Sequence, residues 1–91
     1  MAFKKTVRIQ NLKGLHARAT SAFVRTADSF KCDIRVSKGD LTVSGKSIMG
    51  LMMLAAALGE DIDIETFGAD DAQEALNALV ELVNNKFNEE H

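Results

Sequence analysis

Apolar and polar residues alternate with period two in four stretches of this chain and recur at helical spacing in three others. Phe3 to Gln10 alternates, with Phe3, Lys5, Val7 and Ile9 on one side and Lys4, Thr6, Arg8 and Gln10 on the other. That is the pattern of a half-buried strand. Lys5 breaks it and is expected at a fraying end. Asn11 to Gly14 reads as a loop. From about Ala17 to Ser29 the period lengthens. Ala19, Phe23, Ala27 and Phe30 share a face, with Thr20 and Val24 at its edge. Arg18, Ser21, Arg25 and Asp28 lie opposite, which predicts an amphipathic helix. Cys32 to Ser37 alternates again, Lys38-Gly39-Asp40 turns, and Leu41 to Val43 returns, which predicts a hairpin.

Ser47 is placed to cap a helix from Ile48 to Leu58, with Gly59 as its terminator. That segment is apolar nearly all round. Leu51, Leu54, Ala55 and Leu58 make a sensible inner face, so some of Ile48, Met49, Met52 and Met53 should be exposed. Asp61 to Phe67 is a fourth strand, with Ile62, Ile64 and Thr66 inward. Asp70 with Gln73, or Asp71 with Glu74, offers a capping box. The last helix runs from about Ala72 to Phe87 on a stripe of Ala72, Ala75, Leu76, Leu79, Val80, Val83 and Phe87. Asn88 to His91 reads as a polar tail. The order β-α-β-β-α-β-α predicts an α+β fold in one domain over residues 1–91. Each strand has one dry face, so three helices should pack on one side of a four-stranded, mainly antiparallel sheet.

Composition narrows the function. A net charge of −2 argues against nucleic acid, which wants a basic face. There is no apolar N-terminal segment, and the run from Ile48 to Leu58 is too short to cross a bilayer. With Cys32 as the one cysteine, no internal disulfide can form, and a reducing cytoplasm is expected. Cys32 and the two histidines show no metal-ligand spacing, so neither a metal nor another cofactor is expected. Ser44-Gly45-Lys46-Ser47 resembles the end of a phosphate-binding loop, but Asp40 stands where the first glycine is required, and a nucleotide loop is rejected.

The remaining chemistry lies at Gly14-Leu15-His16-Ala17-Arg18. A strand pattern ends before it and a helix pattern starts inside it, so His16 falls at or near a helix N-cap. Backbone N–H groups there have no intrahelical partner, and with the helix dipole they favour an anion. Arg18 carries the side chain best shaped to grip a phosphate. A neutral imidazole is a competent nucleophile that can hold a covalent group. The stretch therefore reads as a histidine that takes up a phosphoryl group, against the plainer reading of a tolerated polar residue at a loop–helix border.

These residues bring a family into view. Gly-Leu-His-Ala-Arg at 14–18, Lys-Ser-Ile-Met-Gly-Leu-Met at 46–52 and Gly-Ala-Asp-Asp-Ala at 68–72 resemble the HPr family, the histidine-containing phosphocarriers of the bacterial phosphoenolpyruvate phosphotransferase system. The resemblance covers nearly the whole chain and implies an open-faced β-sandwich. It implies that enzyme I phosphorylates His16 on Nδ1 and that the group passes to an enzyme IIA domain, with Arg18 beside it. Ser47 matches the serine that a dedicated kinase modifies in many members. The helix after Ser47 (Ile48, Met49, Met52, Met53) and the first helix (Thr20, Arg25) match the docking surface. A monomer is expected, with no nucleic-acid or membrane partner. Ala19 departs from the family's usual proline, which restores a donor near the helix start and loosens the first turn. The residues leave open whether the relay serves sugar uptake or its nitrogen-related regulatory counterpart. Two competing readings remain: a regulatory interaction module that docks through the Met-rich helix, and a small-ligand domain, for which no polar-lined pocket is marked.

Overall fold

In a computed structural model describing residues 1–91, the alternating stretches become β1 (Ala2–Arg8), β2 (Asp33–Lys38), β3 (Leu41–Ser44) and β4 (Asp61–Phe67). The helices are α1 (Ala17–Asp28), α2 (Ile48–Met53) and α3 (Ala72–Asn84), followed by a short 3-10 turn at Lys86–Asn88. The sheet order is β1-β4-β2-β3 and every neighbouring pair is antiparallel. Val7 pairs with Ile62, and Ile64 with Val36, so the dry positions fall on one face. Ala19, Phe23 and Ala27 of α1 and Leu76, Leu79 and Val83 of α3 close over it in one continuous core. The opposite face is wet. Arg8 pairs with Asp61 at 3.1 Å and Arg35 with Glu65 at 3.8 Å, exposed contacts that set solubility more than stability.

Several local expectations are corrected. Lys5 is not at a fraying end: it pairs with Ile64 in mid-strand and stays exposed. β1 is an edge strand, and a charge there discourages pairing with another chain. The second helix is one turn and a half rather than three. It stops at Met53, and Ala55 enters the left-handed region at φ 50°. Leu54 and Ala56 are both buried, and Ala56 O accepts the Leu15 N–H at 2.9 Å, so the chain after α2 is drawn off the helix axis by its contacts. Ala55 and Leu58 consequently point outward, with Leu58 half exposed, and Gly59 lies in the next turn rather than at a helix end.

No capping box forms at α3. Asp71 makes no side-chain bond to its own helix; its carboxylate accepts instead from Lys31 N at 2.7 Å and Cys32 N at 3.0 Å. The Lys31 N–H holds the Asp71 carboxyl below its ordinary range; desolvation opposes this, and the Cys32 N–H adds to it. A carboxyl depressed in the folded state contributes stability above its unfolded pKa, and that contribution is lost as pH falls through the lower folded value. Asp71→Asn should therefore be less stable than the parent at neutral pH, with the gap closing in acid below about pH 4. Urea midpoints measured across that range test it; a constant gap would remove the ionic part of the account. Burial, with Asp71 beside it, pushes the Cys32 thiol up, so this cysteine is a packed core residue and not a nucleophile.

Candidate functional site

His16 sits where β1's continuation hands over to α1. Ile9 N–H donates to Glu60 O and Gly59 N–H to Ile9 O, both at 2.9 Å, which extends the β1–β4 ladder to the edge of the loop. The loop then folds tightly. Gly14 adopts φ +65°, and His16 N–H donates to Gly14 O at 3.0 Å. His16 is the N-cap of α1 in extended backbone conformation, and its Nδ1 accepts from Arg18 N–H at 3.3 Å. Ala17 and Ala19 N–H groups have no partner in the protein, as expected for a first turn. Nδ1 thus lies at the start of α1 and accepts its Arg18 N–H.

The far side of the ring is held by a residue absent from the sequence reading. His16 Nε2 lies 2.6 Å from Glu89 Oε2. The other oxygen, Oε1, accepts from Asn11 Nδ2 at 3.0 Å. Asn11 is fully buried and also donates to Gly14 O at 2.8 Å. The segment expected as a polar tail therefore folds back onto the site. It does so because α3 ends at Asn84 and not at Phe87. Lys86, Phe87 and Asn88 take φ values of 58°, 55° and 65°, the left-handed region, which turns the chain back. Each such residue costs on the order of 1–2 kcal/mol. Burial of Phe87, only 4% exposed, and the Glu89 bonds offset that cost. An open cleft of about 640 Å³ is lined by His16, Arg18, Phe87 and Glu89 together with Lys13 and His91.

The other predicted site residues divide. Arg18 and Arg25 are exposed on α1, and neither is ion-paired within the chain. Thr20 is not a surface residue: it is fully buried, and its Oγ1 donates toward His16 O at 3.1 Å and Ala17 O at 3.0 Å. It closes the first turn and presents nothing to a partner. Met49 and Met53 are strongly exposed at 75% and 67%, and Met52 and Ile48 are also open, while Leu51 is buried. Ser47 caps α2 as expected, with Oγ accepting from Gly50 N–H at 3.0 Å. Lys46 Nζ donates to Phe30 O at 2.9 Å. No group of three or more His, Cys, Asp and Glu side chains is arranged to hold a metal ion.

Residues 3–85 match the family model described as the PTS HPr component phosphorylation site. The chain belongs to the HPr family of phosphocarrier proteins. It is 55% identical over 86 residues to the phosphocarrier protein HPr of Neisseria meningitidis, covering 94% of this chain and 96% of that one. To the HPr of Pseudomonas aeruginosa it is 49% identical over 84 residues, covering 91% and 92%. The crystal structure of HPr-C-His from Thermoanaerobacter tengcongensis superposes with a TM-score of 0.92 at 43% identity, over 98% of this chain and 99% of that one. The HPr fold and its carrier role in the phosphotransferase system are thus those of this chain, and partners of that system follow in general from the family. No helix is long and apolar enough to cross a membrane. Ala19, which departs from the HPr pattern, is fully buried in α1, and its backbone N–H has no partner within the chain.

Proposed function

We propose that His16 Nδ1 is the phosphoryl acceptor of this carrier, loaded by enzyme I and unloaded onto an enzyme IIA domain. The observation that carries the reading is the position of Nδ1 at the start of α1, facing the Arg18 N–H. Transfer needs a nucleophile, an in-line approach and donors for the equatorial oxygens. Nδ1 supplies the first. When the phosphorus arrives, the Arg18 N–H that Nδ1 now holds can turn to a phosphoryl oxygen, alongside the unpartnered Ala17 and Ala19 N–H groups. The free guanidinium of Arg18 is near enough in sequence to grip the same oxygens. The chain supplies half a site, and the partner supplies the rest, so it acts as a monomeric cytoplasmic carrier and not as an enzyme. Incubation with phosphoenolpyruvate and enzyme I should add the mass of one phosphate, and the label should vanish in mild acid, as a phosphoramidate does. An acid-stable label would assign the wrong residue.

The exposed apolar side of α2 serves in this reading as the docking surface, with Arg25 of α1 meeting acidic groups. Met49→Glu should weaken binding to enzyme I. At 75% exposure its effect on stability should stay within about 0.5 kcal/mol. Titration calorimetry with a parallel melt checks both; unaltered affinity would move the docking surface elsewhere. That same exposed face favours a second reading, a regulatory module that docks without carrying phosphate, and the mass shift above separates the two.

Ser47 is proposed as a regulatory phosphorylation site for a serine kinase. Its Oγ already bonds the Gly50 N–H, so a phosphate there keeps acceptor oxygens near the free N–H groups of α2 and should leave the fold intact. It also places close to two negative charges at the edge of the apolar docking face, where an acidic partner would be repelled. Ser47→Asp should therefore keep its melting temperature and slow uptake from enzyme I. Ser47→Ala should lose about 1 kcal/mol of stability and transfer normally. Equal uptake by the Asp variant and the parent would leave Ser47 with only its capping role.

A further inference from the structure

Glu89 and Asn11 form a chain of hydrogen bonds whose direction is determined at one end. Asn11 Nδ2 faces two acceptors, Gly14 O at 2.8 Å and Glu89 Oε1 at 3.0 Å. Gly14 O is a backbone carbonyl and can only accept, so the Asn11 amide cannot be turned over without setting one oxygen against another. The present orientation holds even though it leaves Asn11 Oδ1 with no partner. Glu89 Oε1 must then accept from Asn11. Its second oxygen, Oε2, 2.6 Å from His16 Nε2, can also only accept when the carboxylate is ionised. Nε2 must carry the proton. In the neutral ring this leaves the lone pair on Nδ1, the nitrogen that also accepts from Arg18 N–H. The two sides of the imidazole agree on one tautomer.

We infer that Glu89 is a positioning residue for phosphoryl transfer: through its bond to Nε2 it sets the His16 tautomer that exposes the Nδ1 lone pair. The inference rests on His16 Nδ1 being the acceptor. In the step it serves, a bond forms from Nδ1 to phosphorus. The bond from phosphorus to the donor's leaving atom breaks, and its electron pair stays with the donor. The ring that results keeps its Nε2 proton and carries positive charge, and the Glu89 carboxylate faces that charge from the side away from the phosphoryl group. Orientation of a histidine by a carboxylate on its other nitrogen is a general device for selecting tautomers. Here the carboxylate comes from the turned-back C-terminal segment, 73 residues along the chain.

The chain of bonds makes an unusual demand on substitutions. Glu89→Gln keeps the shape but has one acceptor oxygen and one NH₂. Asn11 claims the oxygen, so the NH₂ is left facing Nε2 and turns that nitrogen into an acceptor. The proton moves to Nδ1, where it both removes the nucleophile and opposes the Arg18 N–H. Glu89→Ala makes no such demand: Nε2–H can donate to water, and the Arg18 N–H still favours a bare Nδ1. The expected order of phosphoryl uptake is parent, then Ala, then Gln, with the Gln variant on the order of tenfold slower than the Ala variant, the worth of one hydrogen bond. A residue that only packed the tail would give the opposite order, with Gln nearest the parent.

The decisive measurement is the ¹⁵N spectrum of His16 in the unphosphorylated protein with the ring neutral, taken beside uptake rates from enzyme I. Expected are an Nε2–H ring in the parent and in Glu89→Ala, and an Nδ1–H ring in Glu89→Gln. An Nδ1–H ring in the parent, an unchanged ring in Glu89→Gln, or equal rates for Gln and Ala would overturn the inference. Equal labelling of parent and His16→Ala would instead remove the acceptor reading, and the spectra would then still decide whether Glu89 sets the tautomer.

Discussion

His16→Ala should fold and accept no phosphate at all. The side chain is 28% exposed and makes two bonds within the protein, one to Glu89 and one, at 3.3 Å, to the Arg18 N–H. Loss of an N-cap bond costs about 0.5–2 kcal/mol. The backbone at this position, φ −90° and ψ −179°, is extended and open to alanine, so no strain is added. Glu89, released from His16, still accepts from Asn11 and lines an open cleft, where its freed oxygen can take water. The core beneath, with Leu15, Ala19 and Phe23 all buried, is untouched. Against this modest loss of stability stands complete loss of the nucleophile. No neighbouring side chain in the cleft is aligned to replace it, since His91 is exposed on the tail and is not at the start of a helix. Mass spectrometry after incubation with phosphoenolpyruvate and enzyme I, with a melt on the same sample, checks both halves. Labelling of the variant to the level of the parent would sink the acceptor assignment.

The strands and the two long helices were legible because each follows one period and buries one face. Ile62, Ile64 and Thr66 alternate inward in β4, and Thr66 Oγ1 even donates to Ala72 O, so its inward place is satisfied. What the periodicity could not show was decided by contacts between distant residues. Residues 55–57 are alanines with high helical propensity, yet Ala56 leaves the helix to accept from Leu15. Asp71 has the local signature of a capping box, yet the Lys31 and Cys32 N–H groups, some forty residues away, claim its carboxylate. His16, Arg18 and Ser47 were found because the chemistry of helix starts is local. Glu89 was missed because nothing local marks it: it follows three left-handed residues that no glycine announces. Asn11 left a faint signal, an Asn three residues before a glycine in a tight loop, which can bond its own backbone. Thr20 was misplaced for a related reason. A hydroxyl at the edge of an amphipathic helix reads as surface, but here it closes its own first turn and needs no water.

Gly14→Ala is expected to damage both stability and transfer without touching a reacting atom. Gly14 holds φ +65°, where an L side chain is strained by about 1–2 kcal/mol. A Cβ there would also stand 2.3 Å from Ala56 O and 3.0 Å from Ala57 Cα, both backbone atoms that cannot rotate away. Relief requires the loop to lift off the segment after α2. That breaks the Leu15 N–H bond to Ala56 O and shifts Gly14 O, which holds both His16 N–H and Asn11 Nδ2. Those bonds position the imidazole and the residue that orients Glu89. The combined loss should be about 2–4 kcal/mol, and uptake at His16 should slow well beyond what partial unfolding explains. Gly39→Ala is the control. Its φ of +59° is nearly the same, but an added Cβ meets nothing within 4 Å, so it bears the strain alone. Urea unfolding of the two variants isolates the clash as the difference between them. Equal losses, with transfer unchanged in both, would mean that the loop yields freely and that the packing of Gly14 against residues 56–57 does not hold His16 in place.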